Sequence, residues 1–417
     1  MRVVGPALEA AGDVLTPAAL AFVADLHDRF ALRREHLLAE RQRRQDMVSV
    51  GEPMDFLPET AAVRTEDWQV APIPGELAGS WSAAPVIDLS DSISPSWPHL
   101  IAAQRRAWTG PVRFRPRGLH LPEKHLTVDG DPAVAALVDV GLYLVHQRDP
   151  AGLLSLPLIE SHLEARLWAD LLEYAATALE RPAGAVKVIV SVDTVWAAFE
   201  MDELLFELRE HAVGLELGLC NYLFSMVKTF RGAGTEYVLP ERSRLDASAP
   251  FLQACSDLLA ATAGRRGLAG PVDPGAAVDT VISGKDLLDI RSVPLVVTAQ
   301  GLRDTIATAL EILVNWLAGT GAMTIADRPV DLATAELCRS QLWQWQRNRV
   351  ALEGGRRITG YLIVDELDAA TERLADRWAE RPGGRELLAG ARNLLYDAIS
   401  AVRFTGFIAV PAYESMP

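Results

Sequence analysis

Five polar side chains stand at or just past the ends of strand-sized or turn-flanked stretches in the middle of the chain. They are Asp88 and Asp91 after Val86-Ile87, Arg117 after Val112-Arg113-Phe114-Arg115, Asp193 after Val188-Ile189-Val190-Ser191-Val192, and Asn221 within Gly218-Leu219-Cys220-Asn221-Tyr222. In a fold that alternates strands with helices, the C-terminal strand ends are where barrel enzymes keep their chemistry. Carboxylates there can take or give protons, and a guanidinium can steady a developing negative charge. Asp331, just before Leu332, taken alone reads as a helix N-cap.

Other chemistries lack their residues. There is no G-x-x-x-x-G-K-[ST], no G-x-G-x-x-G after a strand, no G-x-S-x-G and no H-E-x-x-H. Gly319-Thr320-Gly321 reads as a turn, and His120 and His125 flank Pro122 without helical ligand spacing. Three scattered cysteines, Cys220, Cys255 and Cys338, make neither a disulfide framework nor a zinc site, and Cys220 and Cys338 read as buried apolar residues.

The elements that must position these residues follow from pattern and composition. The 417 residues are 49% hydrophobic and 23% charged, which suits a globular protein of two or three domains. Forty Lys plus Arg against 55 Asp plus Glu give a net charge of −15, which argues against nucleic acid or anionic lipid as a general partner. No uncharged apolar run is long enough for a membrane span and Met1–Leu20 lacks a cationic start, so a cytoplasmic location is expected.

Thr16-Pro17 predicts a helix start, and the Arg- and Glu-rich stretch from Arg33 to Gln45 a solvated helix face. Phe56, Pro58, Trp68, Pro72 and Pro74 mark an extended strap. Strands are predicted at 86–89, 112–115, 141–145 and 188–192, with helices between them at 163–179 and 199–209. Long amphipathic helices follow at 302–317, 332–345, 364–378 and 386–402. The expected division is an N-terminal helical segment and strap (1–80), a (β/α) barrel (81–289) and a C-terminal all-α domain (290–417).

At Arg115-Pro116-Arg117-Gly118-Leu119-His120-Leu121-Pro122-Glu123-Lys124-His125 the chain resembles the malate synthases of the A type. The likeness continues through Phe56-Leu57-Pro58-Glu59-Thr60, Glu160-Ser161-His162-Leu163-Glu164-Ala165-Arg166-Leu167-Trp168, Ala198-Phe199-Glu200-Met201-Asp202-Glu203, Ala333-Thr334-Ala335-Glu336 and Gln341-Leu342-Trp343-Gln344-Trp345. The resemblance implies a TIM barrel capped by a helical domain, and a Claisen-type condensation of acetyl-CoA with glyoxylate aided by Mg²⁺. Carried over by position, Asp331 is the base that enolises the acetyl group, Arg117 stabilises the enolate and Asp88 steadies that arginine. The partners implied are an acyl-CoA and a small 2-oxo acid.

The metal positions depart from the family pattern. Its Glu ligand falls on Asp193 and its Asp ligand on Asn221, while a neighbouring Glu falls on Ser90. One carboxylate with a neutral amide implies weak Mg²⁺ binding. Leu158 stands where the family has Lys, which implies an altered substrate pocket. The chain is also short before Val86 and after Gly270, where the first and last barrel strands would lie, so a barrel incomplete at that seam is expected. Alternative readings are an acyl-CoA enzyme that cleaves the thioester with little or no metal, and a non-catalytic CoA-binding protein.

Overall fold

The computed structural model describes residues 1–73, 75, 83–108, 112–147, 152–268 and 282–416. A 33-residue helix, α1 (Pro17–Ser49), opens it. Thr16 caps it by accepting the Ala19 N–H at 3.2 Å, and Pro17 starts the first turn, where its missing N–H costs nothing. The Arg-rich stretch continues this helix, but its face is not solvated throughout. Arg41 and Gln45, one turn apart, are buried and bond Glu164 and Glu160, each at 2.6 Å. Hydrophobic pattern alone hides this because the burial is purchased with ion pairs.

The central layer is built from β1 (Val86–Asp88), α2 (Trp97–Ala107), β2 (Arg113–Arg115), a hairpin β3 (Pro122–Val128) and β4 (Asp131–Val134), and α3 (Ala135–His146). There follow β5 (Leu153–Leu156), α4 (His162–Ala178), β6 (Lys187–Val192), β7 (Ala212–Leu217), α5 (Leu219–Thr229) and α6 (Pro250–Arg265). The parallel strands run in the order β1-β2-β5-β6-β7, with Ile87 opposite Phe114, Phe114 opposite Leu154, Leu154 opposite Val188, and Val190 opposite Leu215. Successive parallel strands joined through helices are the progression of a (β/α) barrel. Among the described residues the sheet ends at β1 and β7. The two stretches expected to lack barrel strands fall largely on 76–82 and 269–281, outside the described residues.

One predicted strand is a helix. Gly141-Leu142-Tyr143-Leu144-Val145 belongs to α3, which is buried on nearly every side and so shows no amphipathic period. A Cβ on Gly141 would stand 2.8 Å from Val23 Cγ2, so the glycine allows α1 and α3 to approach. Conversely, β5 was not predicted: its four buried residues are too few to signal a strand, and Ser155 breaks their apolar run.

The C-terminal part is helical, as expected: α7 (Ala299–Leu317), a two-stranded hairpin β8 (Met323–Ile325) and β9 (Arg328–Val330), then α8 (Leu332–Arg347), α9 (Gly360–Ala379), α10 (Gly384–Ser400) and α11 (Ala409–Ser415). Its own core joins Leu310, Leu313, Trp345, Leu367, Trp378 and Leu395. Among the described residues no helix is long and apolar enough to cross a membrane, and the three cysteines are free.

Candidate active site

The last residue of β1 organises a turn. Asp88 Oδ1 accepts the N–H groups of Ser90 and Asp91 at 2.8 and 3.1 Å, and Oδ2 accepts the Ser92 hydroxyl at 2.9 Å. This folds Asp91 back over the strand ends. The helical domain docks on the same turn, through Leu332 N–H to the Asp91 carbonyl at 3.2 Å and Ala322 N–H to the Ser92 carbonyl at 2.7 Å. Asp331 thereby caps α8 directly over the sheet, its Oδ1 accepting from Thr334 N–H at 3.3 Å.

Strand alternation sends Arg113 and Arg115 to one face of β2 and Phe114 to the other. Arg113 pairs with Glu216 of β7 at 2.8 Å. Arg115 reaches the strand ends, donating to Ser191 Oγ at 2.7 Å and Asp193 Oδ2 at 2.8 Å, with Asp91 at 3.3 Å and Asp88 at 3.6 Å. Asn221, in the first turn of α5, donates from Nδ2 to Asp91 Oδ2 at 3.0 Å, which leaves its carbonyl oxygen for another partner. These groups line a cleft of about 450 Å³ that also contains Asp331, Thr334 and Cys220.

Five of the six residues singled out from sequence therefore meet in one place: Asp88, Asp91, Asp193, Asn221 and Asp331. Arg117 does not join them. Its backbone N–H and Nε donate to Asp139 Oδ2, both at 2.9 Å, its Nη2 to Oδ1 at 2.7 Å, and Nη1 pairs with Glu123 at 2.7 Å. Asp88 accordingly sits beside Arg115, not Arg117. The guanidiniums in the cleft are those of Arg113 and Arg115, of which Arg115 reaches the aspartates at the strand ends, and strand alternation over Arg113–Arg115 was the signal that could have found them. Asp91 and Thr334 were also not assigned roles from sequence. Leu158 does not line the cleft; its N–H donates to Asp193 Oδ2 at 2.9 Å from a left-handed backbone, φ 55°.

Five carboxylates and two guanidiniums share the cleft, and burial, reinforced by the excess of negative charge, shifts its titration. Burial and then the neighbouring Asp88 push Asp91 up to about 8. Burial and Asp88 also raise Asp331 above the usual aspartate range, and burial raises Asp193 against the pull of Arg115. Arg115 stays charged: burial opposes its charge, but Asp193, Asp88 and Asp91 more than compensate.

A hard cation suits this charge. Asp193 Oδ1 is buried without a hydrogen-bond partner, and the Asn221 carbonyl and Asp91 lie nearby. A side chain on Gly218 would collide with that Asp193 oxygen, so the glycine keeps it clear. The donors are few, however. Among the described residues no three His, Cys, Asp or Glu side chains converge as a metal site, so a cation would be held weakly.

Comparison with known proteins decides the family. Models of the malate synthase N-terminal domain, TIM barrel domain and C-terminal domain match residues 1–62, 112–273 and 296–416. Malate synthase from Streptomyces clavuligerus is 34% identical over 99% of this chain and 98% of its own length. The chain belongs to the malate synthase family. Malate synthase from Myxococcus xanthus is 33% identical over 97% of this chain and 94% of its own, and Escherichia coli malate synthase A 27% identical over 96% and 95%. Among solved structures, a Haloferax volcanii malate synthase ternary complex with pyruvate and acetyl-CoA is 13% identical over 74% of this chain and 88% of its own, with a TM-score of 0.36. The alignment to the Streptomyces protein spans 536 positions against 417 residues here, so this member of the malate synthase family is a shortened one.

Proposed function

We propose that this malate synthase family member condenses the enolate of acetyl-CoA with glyoxylate in the cleft between β1, β2, β6 and α8, with Asp331 as the base and Arg115, in place of Arg117, as the enolate's cation. The observation that carries this is the placement of Asp331 and Arg115 in one cleft, each within electrostatic reach of the other. A carboxylate is a weak base for a carbon acid, and burial beside Asp88 strengthens it. As the methyl proton passes to Asp331, charge develops on the thioester oxygen, and a guanidinium fixed in advance by Ser191 and Asp193 stabilises it without reorganising. The enolate carbon bonds to the aldehyde carbon, the aldehyde oxygen takes up a proton to become the hydroxyl, and water then cleaves the thioester to malate and free CoA.

Asp88 holds the turn that presents Asp91, and through its charge raises Asp331. Asp193, Asn221 and Asp91 would hold Mg²⁺, which, when bound, polarises the aldehyde of the acceptor. Its affinity is expected to be low because one family carboxylate is an amide. The location proposed is cytoplasmic.

The test is free-CoA release from acetyl-CoA with Mg²⁺, with and without glyoxylate, in the native protein and in Asp331→Asn. Glyoxylate-dependent release, reduced about 10²–10⁴-fold by the substitution, is expected. Release without glyoxylate would transfer the reading to thioester cleavage, and no release at all to a CoA-binding role.

A further inference from the structure

The acidic cleft lies at one end of α8; the other end borders a cavity of opposite character. With 16 residues at 1.5 Å each, the two ends stand roughly 24 Å apart. At the far end, the C-terminus of α8, the start of α9 and the C-terminal turns of α10 enclose about 830 Å³. That is within the usual range for a small-molecule site.

The cavity has an apolar floor, including Ile358 and Ile399, and two tyrosines at its rim. Tyr361 is 88% exposed, and Tyr396, 38% exposed, has the Arg392 guanidinium 5.7 Å from its ring centroid. Among the described residues, the only charged groups lining it are Arg349 and Arg357. Neither guanidinium bonds another described side chain, whereas many arginines elsewhere are engaged by a carboxylate. In a chain of net charge −15, a cavity lined only by positive charge selects for an anion.

The backbone adds to this. Arg349 follows the α8 cap in a left-handed conformation, φ 51°, where glycine or asparagine is usual. An arginine strains that position, yet its side chain lines the cavity.

We propose that this groove binds a nucleoside diphosphate group, its phosphates between Arg349 and Arg357 and its base against Tyr361 and Tyr396. Two guanidiniums match two phosphates, and the tyrosine faces with the apolar floor match a planar base. The group could belong to a free nucleotide such as ADP or to the nucleotide end of CoA.

Isothermal titration of the full chain with ADP, CoA and adenosine tests this without reference to catalysis. ADP should saturate at submillimolar concentration, with adenosine weaker by at least about tenfold. The double variant Arg349→Glu, Arg357→Glu changes two exposed side chains, and its circular dichroism melt should match the native protein. It should weaken ADP by at least about tenfold, while Asp331→Asn leaves ADP binding unchanged. CoA affinity falling in parallel in the double variant would assign the groove to the nucleotide end of CoA. CoA binding untouched while ADP is lost would assign it to a free nucleotide. Failure of both ligands to saturate below about 5 mM, or unaltered ADP binding by the double variant, would overturn the proposal.

Discussion

Arg115 and Arg117 stand on either side of Pro116, both inside the protein and both among carboxylates, yet they do different work. Arg117 is enclosed. Asp139 grips it on two edges and on its own backbone N–H, Glu123 takes a third nitrogen at 2.7 Å, and Glu123 is in turn bonded by the Tyr413 hydroxyl at 3.0 Å. Arg115 is shared by three carboxylates from the ends of two strands, β1 and β6, at 2.8, 3.3 and 3.6 Å, on the wall of an open cleft. A charge matched on every edge in a closed setting serves to tie the hairpin to the last helix. One fixed by Ser191 and Asp193 on the wall of a cleft keeps an edge near the space a ligand could enter.

Substituting methionine at each position separates the two settings. Arg115→Met should lower CoA release by about 10²–10³-fold and cost less stability than Arg117→Met, because one of the carboxylates it leaves unpaired, Asp91, is already raised to about 8 and can take up a proton. Arg117→Met strands the buried carboxylates Asp139 and Glu123, and should cost about 3–5 kcal/mol of stability. Paired activity assays and denaturant melts read both effects; a folded, inactive Arg117→Met would erase the distinction.

Restoring a carboxylate tests the metal side of the cleft. Asn221→Asp should tighten Mn²⁺ binding about tenfold or more, followed by electron paramagnetic resonance. No change would place the cation away from Asp193 and Asn221.

The smallest expected effect is in the pH dependence of stability, where the two regions should differ in sign. Glu123 is held at about 2: burial pushes it up, but Arg117 and His125 pull it down further. A lowered folded-state pKa stabilises the fold above the ordinary glutamate value, and that stability is lost as pH falls towards 2. Asp91, raised to about 8, acts the other way, and its contribution is lost as pH rises from the ordinary aspartate value through 8. Asp91→Asn should therefore raise the thermal midpoint at about pH 9 and change it little at about pH 4, whereas Glu123→Gln should lower it at neutral pH. Parallel shifts in the two variants would end the contrast.

The residues of the cleft were legible because their blocks lie in a recognisable order, and because a carboxylate at a strand end or before a helix can be read from its neighbours. Asp88, Asp193, Asn221 and Asp331 were placed that way. The barrel's strand–helix alternation and the four long C-terminal helices were likewise carried by periodicity. That reading failed where local pattern is ambiguous. Gly141–Val145 is apolar on every side, so only contact with α1 reveals a helix, and Leu153–Leu156 is too short to announce a strand.

Sequence by itself determined the family, the acidic strand ends and the presence of an amide at Asn221, since these depend on residue identity and order. Only the tertiary structure decided which arginine of Arg115-Pro116-Arg117 faces the cleft, and that Arg41 is buried. It also decided that Asp91 gathers Asn221 and Arg115 around it. Each of these depends on partners tens to more than a hundred residues away, and the partners, not the local chain, fix where a long side chain points.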